Sequence, residues 1–254
     1  MSSGSVTTAT TRIRPPHARQ MVTSTANTRA SRLAQPRRRG RESAVVGSLV
    51  DREWQDRENR RMGRLLKAAR LGQDACLEDV RCSPGRGLDK AVLRDLGTCR
   101  WIRERLNVII VGRTGVGKSY LGAALAQTAC RHGYRALFAR VPRLVHDLAI
   151  ARADGTYTTA LARLARIDVL VLDDFLLAPM KDCELHDLLE ILEDRYDKTS
   201  TVITSQVPTK KWHDLLVEPT IADAICDRLV HNAHVLALQG PSQRDKKANQ
   251  PTTT

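Results

Sequence analysis

The segment NVIIVGRTGVGKS, residues 107–119, carries the strongest indication of the fold of this chain. Residues 108–111 are apolar and all β-branched, as in a buried strand, and the segment continues into YLGAALAQTA (120–129), a strong helix former. The turn between them fits GxxxxGK[ST] in the strand–loop–helix context that this motif requires. In such a turn the glycines let successive backbone N–H groups point inward, and the following helix adds its positive N-terminal end. The segment therefore predicts a site for the phosphates of a nucleoside triphosphate.

The motif also predicts the role of individual side chains. Lys118 is expected to reach the β- and γ-phosphate oxygens, and the Ser119 hydroxyl is expected to ligate Mg²⁺. The residues expected to bind the nucleotide are Gly112, Arg113, Thr114, Gly115, Val116, Gly117, Lys118, Ser119 and Tyr120.

A second apolar strand, DVLVL (168–172), ends in two acids about 55 residues after the first motif. Asp173 is expected to hold the Mg²⁺ water shell, and Asp174 to orient or deprotonate the attacking water. A third strand, STVITSQ (200–206), ends in Ser205 and Gln206. Either side chain would lie beside the phosphates and hold the lytic water, or it would cap the turn; the sequence leaves both open.

The order strand–loop–helix repeats, with apolar strands near residues 107–111, 136–141, 168–172, 201–205 and 234–238. This alternation predicts an α/β fold, a doubly wound parallel sheet of the P-loop type over residues 104–244, with nucleotide at the carboxyl ends of the strands. Residues 48–103 are predicted to be helical, with one helix over 51–71 and a second over about 88–103. The first helix has a basic face, which is either a solvated surface or a DNA contact; its members are Arg57, Arg60, Arg61, Arg64, Lys67 and Arg70.

Composition narrows the class of protein. The 254 residues carry 41 Lys and Arg against 28 Asp and Glu, a net charge of +13, which favours a polyanionic partner. No apolar run approaches the roughly 18 residues needed to cross a bilayer, so no membrane partner is expected. The six cysteines are scattered without a CxxC pair, as expected for reduced thiols in the cytoplasm. His231 and His234 lack a carboxylate or cysteine that would complete a metal site.

The two ends of the chain differ from the rest in amino-acid composition. Residues 1–47 contain nine Arg and one acid, many Ser and Thr, and no apolar period, and they are predicted to be disordered, as are residues 245–254. Three roles for the basic tail remain open: an arm that seeks phosphates, an organellar transit peptide, or an extension without a role.

Several strings together resemble the IstB-like proteins, the ATPase helpers of a family of bacterial insertion sequences, which are similar to the DnaC helicase loaders within the AAA+ group. The resemblance covers about residues 48–244. It rests on LLKAARL, CRWIRERLNVIIVGRTGVGKS, AIARADG, LARLARIDVLVLDDF, LLEILEDRY, STVITSQVP and IADAICDRLVHNAH.

The resemblance implies an ATP hydrolase whose helical region at 48–103 binds double-stranded DNA, whose copies assemble with ATP, and whose partner is a cognate transposase. ATP would lie between neighbouring subunits, with Arg228 as the finger that reaches the next subunit's γ-phosphate. Arg244 would match an arginine of the family's C-terminal segment and contact ATP.

The sequence departs from the family at three places. Leu176 replaces a glycine, Gly240-Pro241-Ser242 replaces the element that precedes the C-terminal arginine, and the tail replaces the helices that normally precede Ser48. Two other functions therefore stay open, a replicative helicase loader and a decayed copy that only binds ATP. A small-molecule kinase is disfavoured because the sequence offers no evident acceptor site.

Overall fold

The computed structural model describes residues 38–216 and 218–243, with side chains from residue 51 onward except residue 84. The predicted tail at 245–254 and most of the predicted tail at 1–47 lie outside these residues. The strands are β1 (Asn107–Gly112), β2 (Ala136–Arg140), β3 (Val169–Phe175), β4 (Ser200–Ser205) and β5 (Ala233–Leu238). The helices are α1 (Arg38–Ala69), α2 (Lys90–Gly97), α3 (Arg100–Arg103), α4 (Lys118–Arg131), α5 (Val141–Ala153), α6 (Tyr157–Ala165), α7 (Asp182–Arg195), α8 (Trp212–Leu215) and α9 (Pro219–Val230).

The five strands form one parallel sheet in the order β2-β3-β4-β1-β5. β1 lies between β4 and β5, with Val108 opposite Val202 on one side and His234 on the other. The predicted parallel α/β fold and all five predicted strands are therefore confirmed. Because every strand runs the same way, their carboxyl ends share one edge of the sheet, where β1 leads into the glycine-rich loop.

Alternate residues along each strand enter two different cores. Val108 and Ile110 of β1 face the layer that contains α2, α3 and α4, whereas Ile109 and Val111 face the layer built from α5 to α9. β3 divides in the same way, and its residues 169–172 are fully buried. A sheet covered on both faces requires these continuous apolar strands, which is why they stand out in the sequence.

The region before the sheet differs from the prediction at three boundaries. Helix α1 begins at Arg38, inside the segment predicted to be disordered, because no proline follows Pro36 to interrupt it. It ends at Ala69, where Arg70 adopts a left-handed backbone with φ +52°. The single helix predicted over 88–103 is two, α2 and α3, because Cys99 between them has φ +55°.

Only the last turns of α1 pack against the sheet domain. Leu65, Leu66 and Ala69 join the core beside α4, whereas Trp54, earlier on the helix, is 66% exposed. A connector over residues 70–89 then leads to α2 and contains a 3-10 turn at Pro84–Arg86. No helix in the described ranges is long and apolar enough to cross a bilayer. All six cysteines are free thiols.

Candidate nucleotide site

The glycine-rich loop curls between β1 and α4 as the motif predicts. Gly117 adopts φ +100°, a left-handed conformation that favours glycine, and α4 begins directly after it. The Lys118 side chain is buried, and its Nζ donates to the carbonyl oxygen of Arg113 across the loop at 2.9 Å. The loop thus places an ammonium group and a helix N-terminus where phosphates bind.

Neighbouring segments hold the loop from outside. Thr114 Oγ1 donates to Gln206 Oε1 at 2.8 Å, and the backbone N–H of Gln243 donates to the carbonyl oxygen of Gly115 at 2.8 Å. The loop is therefore tied to the end of β4 and to the C-terminal segment, and its curl does not depend on its glycines alone.

Asp173 lies at the carboxyl end of β3, at the same edge of the sheet as the loop. Its carboxylate is buried, and its Oδ1 accepts a hydrogen bond from Thr204 Oγ1 at 2.5 Å. Ser119, in the first turn of α4, makes no hydrogen bond through its side chain among the described residues. A serine hydroxyl and one oriented carboxylate are oxygen donors that suit Mg²⁺, which takes its other ligands from water and phosphate. The residues present therefore fit the predicted ion.

Asp174 is engaged by an arginine. Arg140, the last residue of β2, donates to Asp174 Oδ2 from Nη2 at 2.6 Å and from Nε at 3.1 Å. This hydrogen bond raises the pKa of Arg140 above its usual value, and the Asp174 charge adds to that effect. The Asp174 backbone has φ +60°, and its N–H donates to Thr204 Oγ1 at 3.2 Å. The acid predicted to act on water is thus present but paired.

The structure resolves the alternatives at the end of β4 against Ser205. Its hydroxyl is fully buried, donates to the carbonyl oxygen of Phe175 at 2.8 Å, and accepts from the N–H of Val207 at 3.1 Å. Ser205 caps the turn, and its assignment as a nucleotide ligand is corrected for that reason. Gln206, the other candidate, is the residue that reaches the loop, through Thr114.

Two residues next to the loop point in different directions. The Tyr120 hydroxyl accepts a hydrogen bond from the N–H of Cys76 at 3.3 Å, so this side chain points toward the connector. The main chain of Tyr120 is the part of the residue that faces the phosphate site. Arg113 lies exposed on the loop.

Arg228 lies far from the loop of its own chain. Its carbonyl oxygen accepts a hydrogen bond from Asn107 Nδ2 at 3.0 Å, and Asn107 is the first residue of β1, whereas the loop follows the last. Five strand steps separate the two ends by roughly 17 Å. The guanidinium donates to Glu193 Oε1 at 2.7 Å and is about a quarter exposed. Arg228 therefore lies at the amino edge of the sheet, away from the site formed by its own Lys118.

Three remaining expectations have simple outcomes. Arg244 lies outside the described residues. Among the described residues, no group of three His, Cys, Asp or Glu could hold a metal ion. Leu176, which replaces the family's glycine, adopts φ +55°, so the backbone keeps a glycine-like conformation with a leucine in place.

Sequence reasoning missed two residues that the structure places at the site. Arg140 is the last residue of β2 and lies at the same edge of the sheet as Asp173. The two acids were located by inspecting the ends of predicted strands, and the same inspection of β2 would have located Arg140. Thr204 joins both acids by hydrogen bonds, but a threonine inside a β-branched strand carries no signal of that role.

Comparisons with known proteins agree with this geometry. The family model described as "IstB-like ATP binding protein" matches residues 19–251. An insertion-sequence ATP-binding protein of Sinorhizobium fredii is 47% identical over 199 residues, which cover 78% of this chain and 81% of that protein. Among solved structures, DnaI has a TM-score of 0.56 at 24% identity, covering 65% of this chain and 91% of that one. The DnaC helicase loader has a TM-score of 0.53 at 20% identity, covering 65% and 97%.

Proposed function

Because the chain belongs to the IstB-like family of ATP-binding proteins, we propose that it is an ATPase that assists the transposition of an insertion sequence. It assembles on duplex DNA with ATP, and in that state it recruits or activates a transposase. The chain does no strand chemistry itself.

The observation that supports hydrolysis is the meeting of the glycine-rich loop with Asp173 and Asp174 at one edge of the sheet. Lys118 and the loop N–H groups bind the β- and γ-phosphates, and Ser119 and Asp173 hold Mg²⁺, which neutralises charge that develops on the phosphates. Asp174 accepts a proton from the attacking water once its carboxylate leaves Arg140.

The position of Arg228 supports a site shared between copies. Because this side chain lies at the opposite edge of the sheet from its own loop, it acts on ATP only in a neighbouring subunit. An arginine supplied in this way stabilises the charge of the transition state and makes hydrolysis depend on assembly.

A basic stripe on α1 supports DNA binding. Arg57, Arg60, Arg64 and Lys67 recur at intervals of three or four residues, so they share one helix face over about 15 Å. Only Arg57 is paired, with Glu53 at 2.8 Å; no described carboxylate pairs with the other three. Unpaired exposed cations along a helix bind backbone phosphates without reading sequence.

The experiment that tests this function is ATP hydrolysis by the full chain, with and without duplex DNA, at low and at high salt. We expect DNA to stimulate phosphate release at low salt and the stimulation to fall as salt rises, because phosphate contacts release counterions. A rate that is measurable but unchanged by DNA under all conditions contradicts the DNA-dependent function.

A replicative helicase loader is the second candidate. The likeness to DnaI and DnaC is below 25% identity and shows the fold alone, whereas the relative at 47% identity belongs to an insertion sequence. Capture of partners by the ATP-bound chain separates the two functions: a transposase supports the proposal, and a hexameric helicase contradicts it.

A further inference from the structure

The connector before α2 is fixed against the sheet beside the glycine-rich loop. Gly87 has φ +66°, and a Cβ at this position would lie 2.3 Å from the carbonyl oxygen of Ala237 in β5, so only glycine fits. In a second contact, the N–H of Gln239 donates a hydrogen bond to the carbonyl oxygen of Arg86 at 2.9 Å. Together these contacts hold the turn at residues 84–87 on the carboxyl end of β5, next to the loop.

The side chain of Arg86 extends from this turn to the back of the loop. Its Nη2 donates to the carbonyl oxygen of Val116 at 2.6 Å, and its Nη1 donates to the carbonyl oxygen of Arg81 at 2.6 Å. Nη2 also lies 3.4 Å from the position that a Cβ on Gly117 would take. No described carboxylate pairs with Arg86, and its buried Nε has no hydrogen-bond partner in the described chain. One guanidinium therefore joins the connector to the loop.

We propose that Arg86 is a positioning residue of the nucleotide site, which holds the loop in its phosphate-binding curl from outside. The carbonyl of Val116 and the N–H of Gly117 belong to the same planar trans peptide, so they point in opposite directions. By holding the Val116 oxygen outward, Arg86 aims the Gly117 N–H inward, toward the phosphates. The proposal rests on the proposed nucleotide site.

The same contact makes the loop depend on the connector. Arg81 and Arg86 both belong to the connector, so a displacement of the connector would move the guanidinium relative to Val116. Since α1 leads directly into this connector, Arg86 offers one route by which a change at α1 would reach the loop, beside the contact between Cys76 and Tyr120.

The experiment measures the dissociation constants of MgATP and MgADP for the full chain by titration with fluorescent nucleotides. Arg86→Ala is expected to raise both constants about tenfold, because the loop N–H groups hold the β-phosphate that both nucleotides share. Arg86→Lys keeps the charge but not the planar fork that spans two carbonyls, so it is expected to stay about fivefold weaker. The matched control, Arg81→Ala, removes an exposed arginine from the same connector and is expected to stay within about twofold. The apparent KM for ATP is expected to rise about tenfold in Arg86→Ala and to stay within about twofold of wild type in Arg81→Ala.

Three results would overturn the proposal: Arg86→Ala binding both nucleotides as wild type does, Arg86→Lys restoring full affinity, or a loss confined to ATP. Unchanged binding by Arg86→Ala would show that Arg86 has no role in nucleotide binding. Full affinity in Arg86→Lys would show that the positive charge alone is needed, and a loss confined to ATP would show that Arg86 acts on the γ-phosphate. Lys118→Ala and wild type are titrated in parallel. If wild type binds no nucleotide, the proposed function itself fails; if wild type binds and Lys118→Ala does not, the site stands and the result tests Arg86 alone.

Discussion

At the scale of single residues, the ion pair with Arg140 occupies the Asp174 carboxylate. Arg140 is mostly exposed, so the pair is worth no more than about 1 kcal/mol. We predict that Arg140→Ala raises DNA-independent ATP hydrolysis up to about fivefold, because the Asp174 carboxylate is then free to meet water. ATP affinity is expected to stay unchanged. Arg143→Ala, an exposed arginine one turn later, is the control; an equal or larger rise in that variant contradicts the assignment.

Substitutions of Lys118 and Asp174 are expected to separate ATP binding from ATP hydrolysis. We predict that Lys118→Ala loses ATP binding, because a buried ammonium that balances the β- and γ-phosphate charge is removed. Asp174→Asn keeps the shape of the side chain and is expected to bind ATP while phosphate release falls at least about 100-fold, since an amide is not a base. Nucleotide titration and phosphate release measure the two effects, and hydrolysis near the wild-type rate in Asp174→Asn would exclude Asp174 as the base.

At the scale of elements, α1 carries the proposed DNA contact. We predict that Arg60→Ala combined with Arg64→Ala weakens duplex DNA binding about tenfold and lowers the slope of log affinity against log salt by about two. The matched control is Lys210→Ala combined with Lys211→Ala, two exposed lysines in the sheet domain.

Trp54 offers a direct reporter on the same helix, because the other two tryptophans, Trp101 and Trp212, are buried. Duplex DNA is expected to protect Trp54 fluorescence from an added quencher in wild type. Equal loss of affinity in the Arg60/Arg64 and lysine variants, with Trp54 unprotected, would place the DNA elsewhere.

A buried arginine joins α7 to the sheet. Arg195 is 1% exposed, and it donates to the carbonyl oxygens of Leu164, Ile167 and Ser200 and to Thr201 Oγ1. Burial lowers its pKa, a cost that these neutral acceptors offset. We predict that Arg195→Met lowers the free energy of unfolding by about 3 kcal/mol or more, because three carbonyl groups lose their donor.

Denaturant titration measures this loss, and the control is Arg166→Met, an exposed arginine near the start of β3. A change below about 0.5 kcal/mol in Arg195→Met would show that water replaces the guanidinium without cost.

At the scale of the whole molecule, the sequence predicts those features that a short run of adjacent residues determines. The five strands, the loop and the acids at 173 and 174 follow from runs of adjacent residues whose chemistry repeats at every strand end. Contacts between distant segments do not follow in this way. Arg140 meets Asp174, Arg86 meets Val116, and the choice between Ser205 and Gln206 depends on how the end of β4 turns. The sequence also does not predict the left-handed residue Cys99, because α2 and α3 read as one continuous helical pattern.

We propose that ATP lies in a site completed by a second copy, with Arg228 supplied across the interface. The most direct test mixes two variants that are each inactive. Lys118→Ala cannot bind ATP but keeps Arg228, whereas Arg228→Ala binds ATP but has no arginine to offer its neighbour. With duplex DNA present, each alone is expected to hydrolyse ATP at least about tenfold more slowly than wild type. Their mixture is expected to recover hydrolysis as Lys118→Ala subunits are titrated in. Normal hydrolysis by Arg228→Ala alone, or no recovery in mixtures that do assemble, would contradict the shared site.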